Sequence, residues 1–113
     1  MNFKDLKDKV LSWADDKDLL HTVNAGKQFM KVVEEVFEFK TYMDIVCYLD
    51  NNEHTFHDME LEMGDIFVTL IILCEQIGID PVECLSMAYE KIKNRKGKTI
   101  NGCFIKEEDL RDE

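Results

Sequence analysis

The sequence predicts an all-α fold: a four- to five-helix bundle that assembles as a dimer or tetramer. Three observations lead there. Apolar residues recur at spacings of three and four through most of the chain, which is the period of one helix face. One Pro and five Gly leave few places where a helix must stop. A chain of 113 residues supports one domain with a modest core, so such a subunit gains from pairing with a copy of itself. The single domain is expected to span 1–113, with a core over about 3–97 and a polar tail over 98–113.

The elements follow in order. Phe3, Leu6, Val10 and Trp13 mark an amphipathic first helix ending near Asp16. Residues 15–26 mix polar side chains with Leu19 and Leu20 and read as a connection, with a helix restarting around Asn24 to Lys27. Phe29, Val32, Val36, Phe39, Met43 and Val46 form the stripe of a long second helix, expected to run to about Leu49 and to be broken by Asp50, Asn51 and Asn52. Thr55 with Asp58 resembles a capping box at the next helix start. From Met59 to Ile77 apolar residues cover most of the circumference. Such a helix sits centrally in a bundle or at a subunit contact. Gly78 stops it, and Asp80-Pro81 opens the next helix, with Asp80 as N-cap. Val82, Leu85, Ala88, Tyr89 and Ile92 give that helix its stripe, and Gly97 ends it. Ile100, Phe104 and Ile105 are candidate anchors for the tail.

The formal net charge is −10, which disfavours binding to a nucleic-acid backbone. It leaves open small polyanions that reach the protein through metal ions. Cys47, Cys74, Cys84 and Cys103 contain no CxxC pair, and the first three fall in apolar helical patterns as core residues. A reducing compartment is expected. No signal-like apolar segment opens the chain, and the longest apolar run, Ile66 to Cys74, is too short for a bilayer. The expectation is a cytoplasmic protein without a membrane partner.

Two acidic clusters carry the chemistry: Glu34, Glu35 and Glu38 on the long helix, and Glu62 and Asp65 at the head of the central one. Residues three or four apart share a helix face, so Glu35 with Glu38 and Glu62 with Asp65 make two carboxylate pairs. Both border apolar stripes, where carboxylates solvate poorly and repel unless a cation joins them. Oxygen ligands without thiolate or imidazole suit Mg²⁺, with Mn²⁺ as a substitute. If the helices pack antiparallel, the pairs face each other and form a four-carboxylate metal site. Solvated helix faces carry acids too, and the pattern of Glu-x-x-Glu followed by Glu-x-x-Asp is degenerate. His54 and His57 lack a second ligand pair and read as helix-start residues. Trp13 reads as a helix-packing residue.

Lys31 to Glu38, followed by Glu62-Met63-Gly64-Asp65-Ile66, resembles the signature of the MazG-like all-α nucleotide pyrophosphohydrolases. The likeness extends over roughly residues 10 to 106. It includes Trp13-Ala14, Lys27-Gln28, Ile77 to Pro81 and the basic stretch from Ala88 to Lys98. The resemblance implies a helical dimer or tetramer that hydrolyses a nucleoside triphosphate, (d)NTP, to the monophosphate and pyrophosphate with a metal-activated water. It implies Glu35, Glu38, Glu62 and Asp65 as metal ligands. Glu34 is then an additional ligand or the group that orients or deprotonates water. Gln28, Lys31, Lys91, Arg95 and Lys98 are candidate substrate contacts. Cations in a last helical turn also offset the helix dipole.

Two alternatives stay open. Phe37 stands where the family pattern often has Gly, and Tyr89-Glu90 where many members carry Asn; these motivate a non-catalytic helical interaction module. A phosphoribosyl-ATP pyrophosphohydrolase-like enzyme would share the chemistry and differ in substrate.

Overall fold

The computed structural model describes residues 1–110. Four α-helices dominate: α1 (Phe3–Asp16), α2 (Ala25–Asp44), α3 (Glu53–Gln76) and α4 (Pro81–Ile92). A two-stranded hairpin follows, with β1 (Gly97–Ile100) and β2 (Cys103–Lys106). The chain divides into two compact units, one from Met1 to Pro81 and one from Val82 onward. Each is described by itself. No helix among the described residues is long and apolar enough to cross a membrane.

In the first unit, α1 begins at Asn2, whose side chain accepts the Asp5 amide at 2.8 Å. It ends with Asp18 in the left-handed region, φ 59°. The Leu19 amide then donates to the Ala14 carbonyl and the Asp18 amide to Asp15, each at 3.0 Å, a Schellman closure without glycine. A short 3₁₀ turn over Thr22–Asn24 leads into α2, close to the expected restart. Beyond Asp44 the helical path continues to Leu49 as a π turn, closed by the Asp50 amide on the Ile45 carbonyl at 2.8 Å. The expected stop at residues 50–52 is where it ends.

The start of α3 differs from the sequence expectation. The cap is Asn52, not Thr55, and Thr55 is the N3 residue. Asn52 Oδ1 accepts from the Thr55 amide at 3.0 Å, and Thr55 Oγ1 accepts from the Asn52 amide at 3.1 Å. Both exposed donors are satisfied reciprocally, so the helix starts earlier than Thr55 alone implies. Asn52→Ala removes the cap, and the expected loss is about 0.5–2 kcal/mol. Thermal denaturation checks it: Tm should drop by roughly 4–8 °C per kcal/mol lost, and an unchanged Tm would contradict the assignment.

Helix α3 ends at Gly78, φ 79°. The Ile79 amide reaches the Cys74 carbonyl at 2.9 Å and the Gly78 amide reaches Glu75 at 3.2 Å, the glycine version of the closure seen on α1. α3 packs against both α1 and α2. Gln28 of α2 bonds the Thr69 carbonyl of α3 at 3.1 Å, while Glu35 meets Glu62. Later residues of α2 thus pair with earlier residues of α3, so the two helices are antiparallel. Phe3 meets Phe67 edge to face at 6.5 Å, a pairing worth about 0.5–1.5 kcal/mol beyond its buried area.

The buried apolar core is small: Ala14, Ile71 and Ile72. Much of the apolar periodicity expected to be core is exposed, including Phe29, Val36, Met63, Phe67 and Leu70. Three helices are too few to cover a helix that is apolar on most sides. Cys47, in the π turn after α2, and Cys84, on α4, were expected in the core and are exposed.

In the second unit, α4 carries its stripe of Val82, Leu85, Tyr89 and Ile92 exposed. What the sequence reads as a polar tail is a β-hairpin with antiparallel register Gly97 to Lys106 and Ile100 to Cys103. Its two-residue turn is Asn101-Gly102, with φ 52° and 78°, the geometry that this dipeptide favours between twisted strands. Gly97 is required by close approach: a Cβ there would stand 2.1 Å from the Ile105 carbonyl oxygen. The last residues of the expected tail, 111–113, lie outside the described residues.

Candidate metal centre

The α2–α3 hairpin brings the two acidic clusters together. Glu62 and Asp65 lie three residues apart on one face of α3, and Glu35 of α2 meets both. One carboxylate oxygen from each of Glu35, Glu62 and Asp65 lies within 4.8 Å of the others. Glu35 is only 9% exposed, Glu62 is half-buried and Asp65 is exposed. The site is a wall of oxygen that opens to solvent on the Asp65 side.

Its electrostatics are strained in one direction. Burial, then the charges of Glu38 and Asp65, hold the Glu35 carboxyl above its ordinary range, against the opposing pull of Lys31. Burial, then Glu38, Asp65 and Glu35, push Glu62 up to about 6. With all carboxyls ionised, Glu35 Oε2 and Glu62 Oε2 are buried with no hydrogen-bond partner among the described residues. Such a cluster is relieved by protons or by a cation. Buried carboxylate oxygens without donors, and no sulfur or imidazole among them, fit a hard divalent ion such as Mg²⁺ or Mn²⁺.

The other residues singled out from the sequence fall into three groups. Glu38 is exposed and outside the tight trio, yet close enough for its charge to act on Glu35 and Glu62. Glu34 is exposed and does not join the cluster; it lies 3.8 Å from Lys31. Lys31 also lies 3.8 Å from Glu35, at the edge of the acidic wall. Gln28 Nε2 donates to the Thr69 carbonyl, so it ties α2 to α3. Lys91 and Arg95 belong to the second unit, where they line a cavity of about 460 Å³ with Lys96 and Lys106. Lys98 lies on β1, paired with Ile105. His54 and His57 lie in the first turns of α3, exposed and near Asp58 and Glu60, as helix-start residues would.

A second cavity, of about 550 Å³, adjoins the acidic trio within the first unit. Trp13, Leu19, Ile72 and Gln76 line it, and Lys31, Glu35 and Asp65 form part of its wall. Trp13 is 52% exposed, so it is less a packing residue than an aromatic wall. Sequence reading passed over Gln76, which is 3% exposed. Its Nε2 donates to the Leu19 carbonyl at 2.7 Å, and its backbone carbonyl accepts from Thr22 Oγ1 at 2.6 Å. The available signal was spacing: Thr69, Ile72 and Gln76 recur at three and four on one face, so a polar amide continues a buried stripe.

No family model, no curated protein and no solved structure matches the chain.

Proposed function

We propose that this protein is a Mg²⁺-dependent nucleoside triphosphate pyrophosphohydrolase of the MazG-like kind, converting a (d)NTP and water to the (d)NMP and pyrophosphate. The observation that carries this reading is the convergence of Glu35, Glu62 and Asp65 with two buried carboxylate oxygens left without donors. A purely structural acidic face has no need to bury oxygens that repel.

Glu35, Glu62 and Asp65 would hold the metal. Bound there, Mg²⁺ would supply charge neutralisation for the phosphates and lower the pKa of water. The chain's own contributions are positional. Glu35 and Glu62 are fixed by helix packing, so they need little reorganisation on binding. Lys31, 3.8 Å from Glu35, is placed to meet a phosphate oxygen as a point charge. Glu38, exposed beside Glu35 and Glu62, is placed to take the proton that water loses as the anhydride bond breaks. That role suits Glu38 better than Glu34, which points its charge at Lys31 instead. Phe37 is 69% exposed and does not enter the acidic wall, so its departure from the family pattern leaves the carboxylates in place.

Self-association is part of the same reading. Phe29, Met30, Phe37, Leu61 and Phe67 are large apolar side chains left exposed on α2 and α3, and apolar surface of this kind is what a subunit contact covers. A dimer or tetramer would cover it.

The direct test is release of monophosphate and pyrophosphate from a panel of nucleoside triphosphates, with Mg²⁺ and with chelator. Metal-dependent production of both is the expected result. A folded protein that binds Mg²⁺ and cleaves none of the panel would return the weight to an interaction module.

A further inference from the structure

We infer that the second unit binds single-stranded nucleic acid, with its cations on the phosphates and Phe104 stacking a base. The inference does not depend on the hydrolytic reading above.

The net charge of −10 is an average over an uneven chain. Residues 1–81 hold seventeen acids against seven Lys and Arg, whereas residues 82–113 hold seven of each. Within the second unit the signs separate again. From Lys91 to Lys106 there are six cations and no acid. Lys93 is paired with Glu90, and Lys106 lies 3.9 Å from Glu108. Lys91, Arg95, Lys96 and Lys98 have no carboxylate partner among the described residues. Offsetting the C-terminal dipole of α4 takes about half a charge, far less than this stretch supplies.

The fold gathers these cations at a concave surface. Lys91, Arg95, Lys96 and Lys106 line one cavity of about 460 Å³ together with Asn94. Glu107 and Glu108 also line it, so four cations face two carboxylates and the wall stays positive. A guanidinium among lysines is the set of groups that meets phosphate oxygens. Next to Lys96 the β-hairpin adds an aromatic ring. A Cβ on Gly97 would stand 2.7 Å from Phe104 Cζ, so the ring lies against Gly97, the residue between Lys96 and Lys98. Phe104 is nonetheless 51% exposed. Cations with an open ring beside them suit a strand with unpaired bases: the backbone follows the charge and a base stacks on the ring. In a duplex the base faces are covered by their neighbours, so the ring favours single strands.

The test is fluorescence anisotropy of the full chain with a labelled oligo(dT) of about 12 nucleotides, within the usual site size for such surfaces. Chelator is present throughout, which keeps any metal-held triphosphate site out of the measurement. Binding is expected with a Kd of about 1–100 µM at physiological salt. The logarithm of the association constant should fall with the logarithm of salt concentration at a slope of about −3, the value for four cations on a single strand. Lys96→Gln should flatten that slope by about 0.7. Phe104→Leu keeps an apolar side chain against Gly97 and should weaken binding about 5- to 100-fold with the slope unchanged. The same oligo(dT) annealed to oligo(dA) should bind less tightly than the single strand, and this comparison on wild type decides if Phe104→Leu does not fold. Absence of binding at low salt overturns the inference. So does duplex binding as tight as that of the single strand, or a folded Phe104→Leu that binds like wild type, since either removes the stacked base. Displacement of oligo(dT) by equimolar tripolyphosphate would make the cavity a small-phosphate site and overturn the strand reading as well.

Discussion

Asp65→Asn should reduce pyrophosphate release by about 10²- to 10³-fold, the scale of losing one preorganised electrostatic partner at a reacting group. The metal-free protein should meanwhile be at least as stable as wild type. The two effects have one cause. Asp65 raises the carboxyl pKa of both Glu35 and Glu62, so in the absence of a cation its charge opposes the fold. Neutralising it relieves that repulsion and takes away a proposed ligand of the metal. Glu35→Gln should show the same separation, since Glu35 is the most buried member of the trio. Steady-state kinetics with Mg²⁺, set beside thermal denaturation in chelator, reads both quantities. Lost activity with an equally lost Tm would assign Asp65 a structural role instead. Retained activity in both variants would remove the trio from the chemistry.

This opposition between stability and chemistry explains an otherwise awkward arrangement. A helical hairpin could hold α2 against α3 with apolar residues alone, and Gln28 and Thr69 already fix their register by one hydrogen bond. Acids at Glu35 and Glu62 add nothing to that packing. Their placement is understandable where a cation is the missing partner, because binding free energy then offsets the strain of the metal-free state.

The sequence conveyed the helices well, for a physical reason. Spacing of three and four is a local property, and stop signals such as Gly78 and Asp80-Pro81 act over one turn. The carboxylate pairs were legible on the same ground, since Glu62 and Asp65 share a face whatever surrounds them. What spacing does not convey is which face is covered. The stripes of Phe29 and Phe67 have the periodicity of core residues, yet they are exposed, because a three-helix unit cannot wrap α3. Competition between two local signals explains the cap: Thr55 has the chemistry of an N-cap, but Asn52 captures its amide first. The hairpin was missed although Asn101-Gly102 is its strongest short-range signal. Its strands are only four residues each, and Lys98, Thr99 and Lys106 made them look like a polar tail. Gln76 was invisible for a different reason: whether a buried amide is fully bonded depends on Leu19, 57 residues away.

Lowering the pH should stabilise the metal-free protein between about pH 6 and pH 4.5, the reverse of ordinary acid destabilisation. The sign follows from Glu62, whose carboxyl is raised from 4.5 to about 6. In that window the folded state holds a proton that the unfolded chain has released. Stability therefore falls as pH rises through it. The relative gain is complete below 4.5 and lost above about 6. The shift corresponds to about 1–2 kcal/mol once solvent screening is allowed for, and Glu35 moves in the same direction. For a domain of this size the effect on Tm is on the order of 5–10 °C. Mg²⁺ should reverse the trend, because the ion binds the ionised carboxylates and competes with protons. At about 100-fold above its Kd it adds about 2.7 kcal/mol, and this gain should be largest above pH 6. Glu62→Gln should flatten both the pH dependence in chelator and the Mg²⁺ response. Calorimetric Tm values for wild type and Glu62→Gln, at pH 5 and 7.5 with and without Mg²⁺, resolve the four combinations. A Mg²⁺ gain that is the same at both pH values would mean that the ion binds elsewhere than this trio.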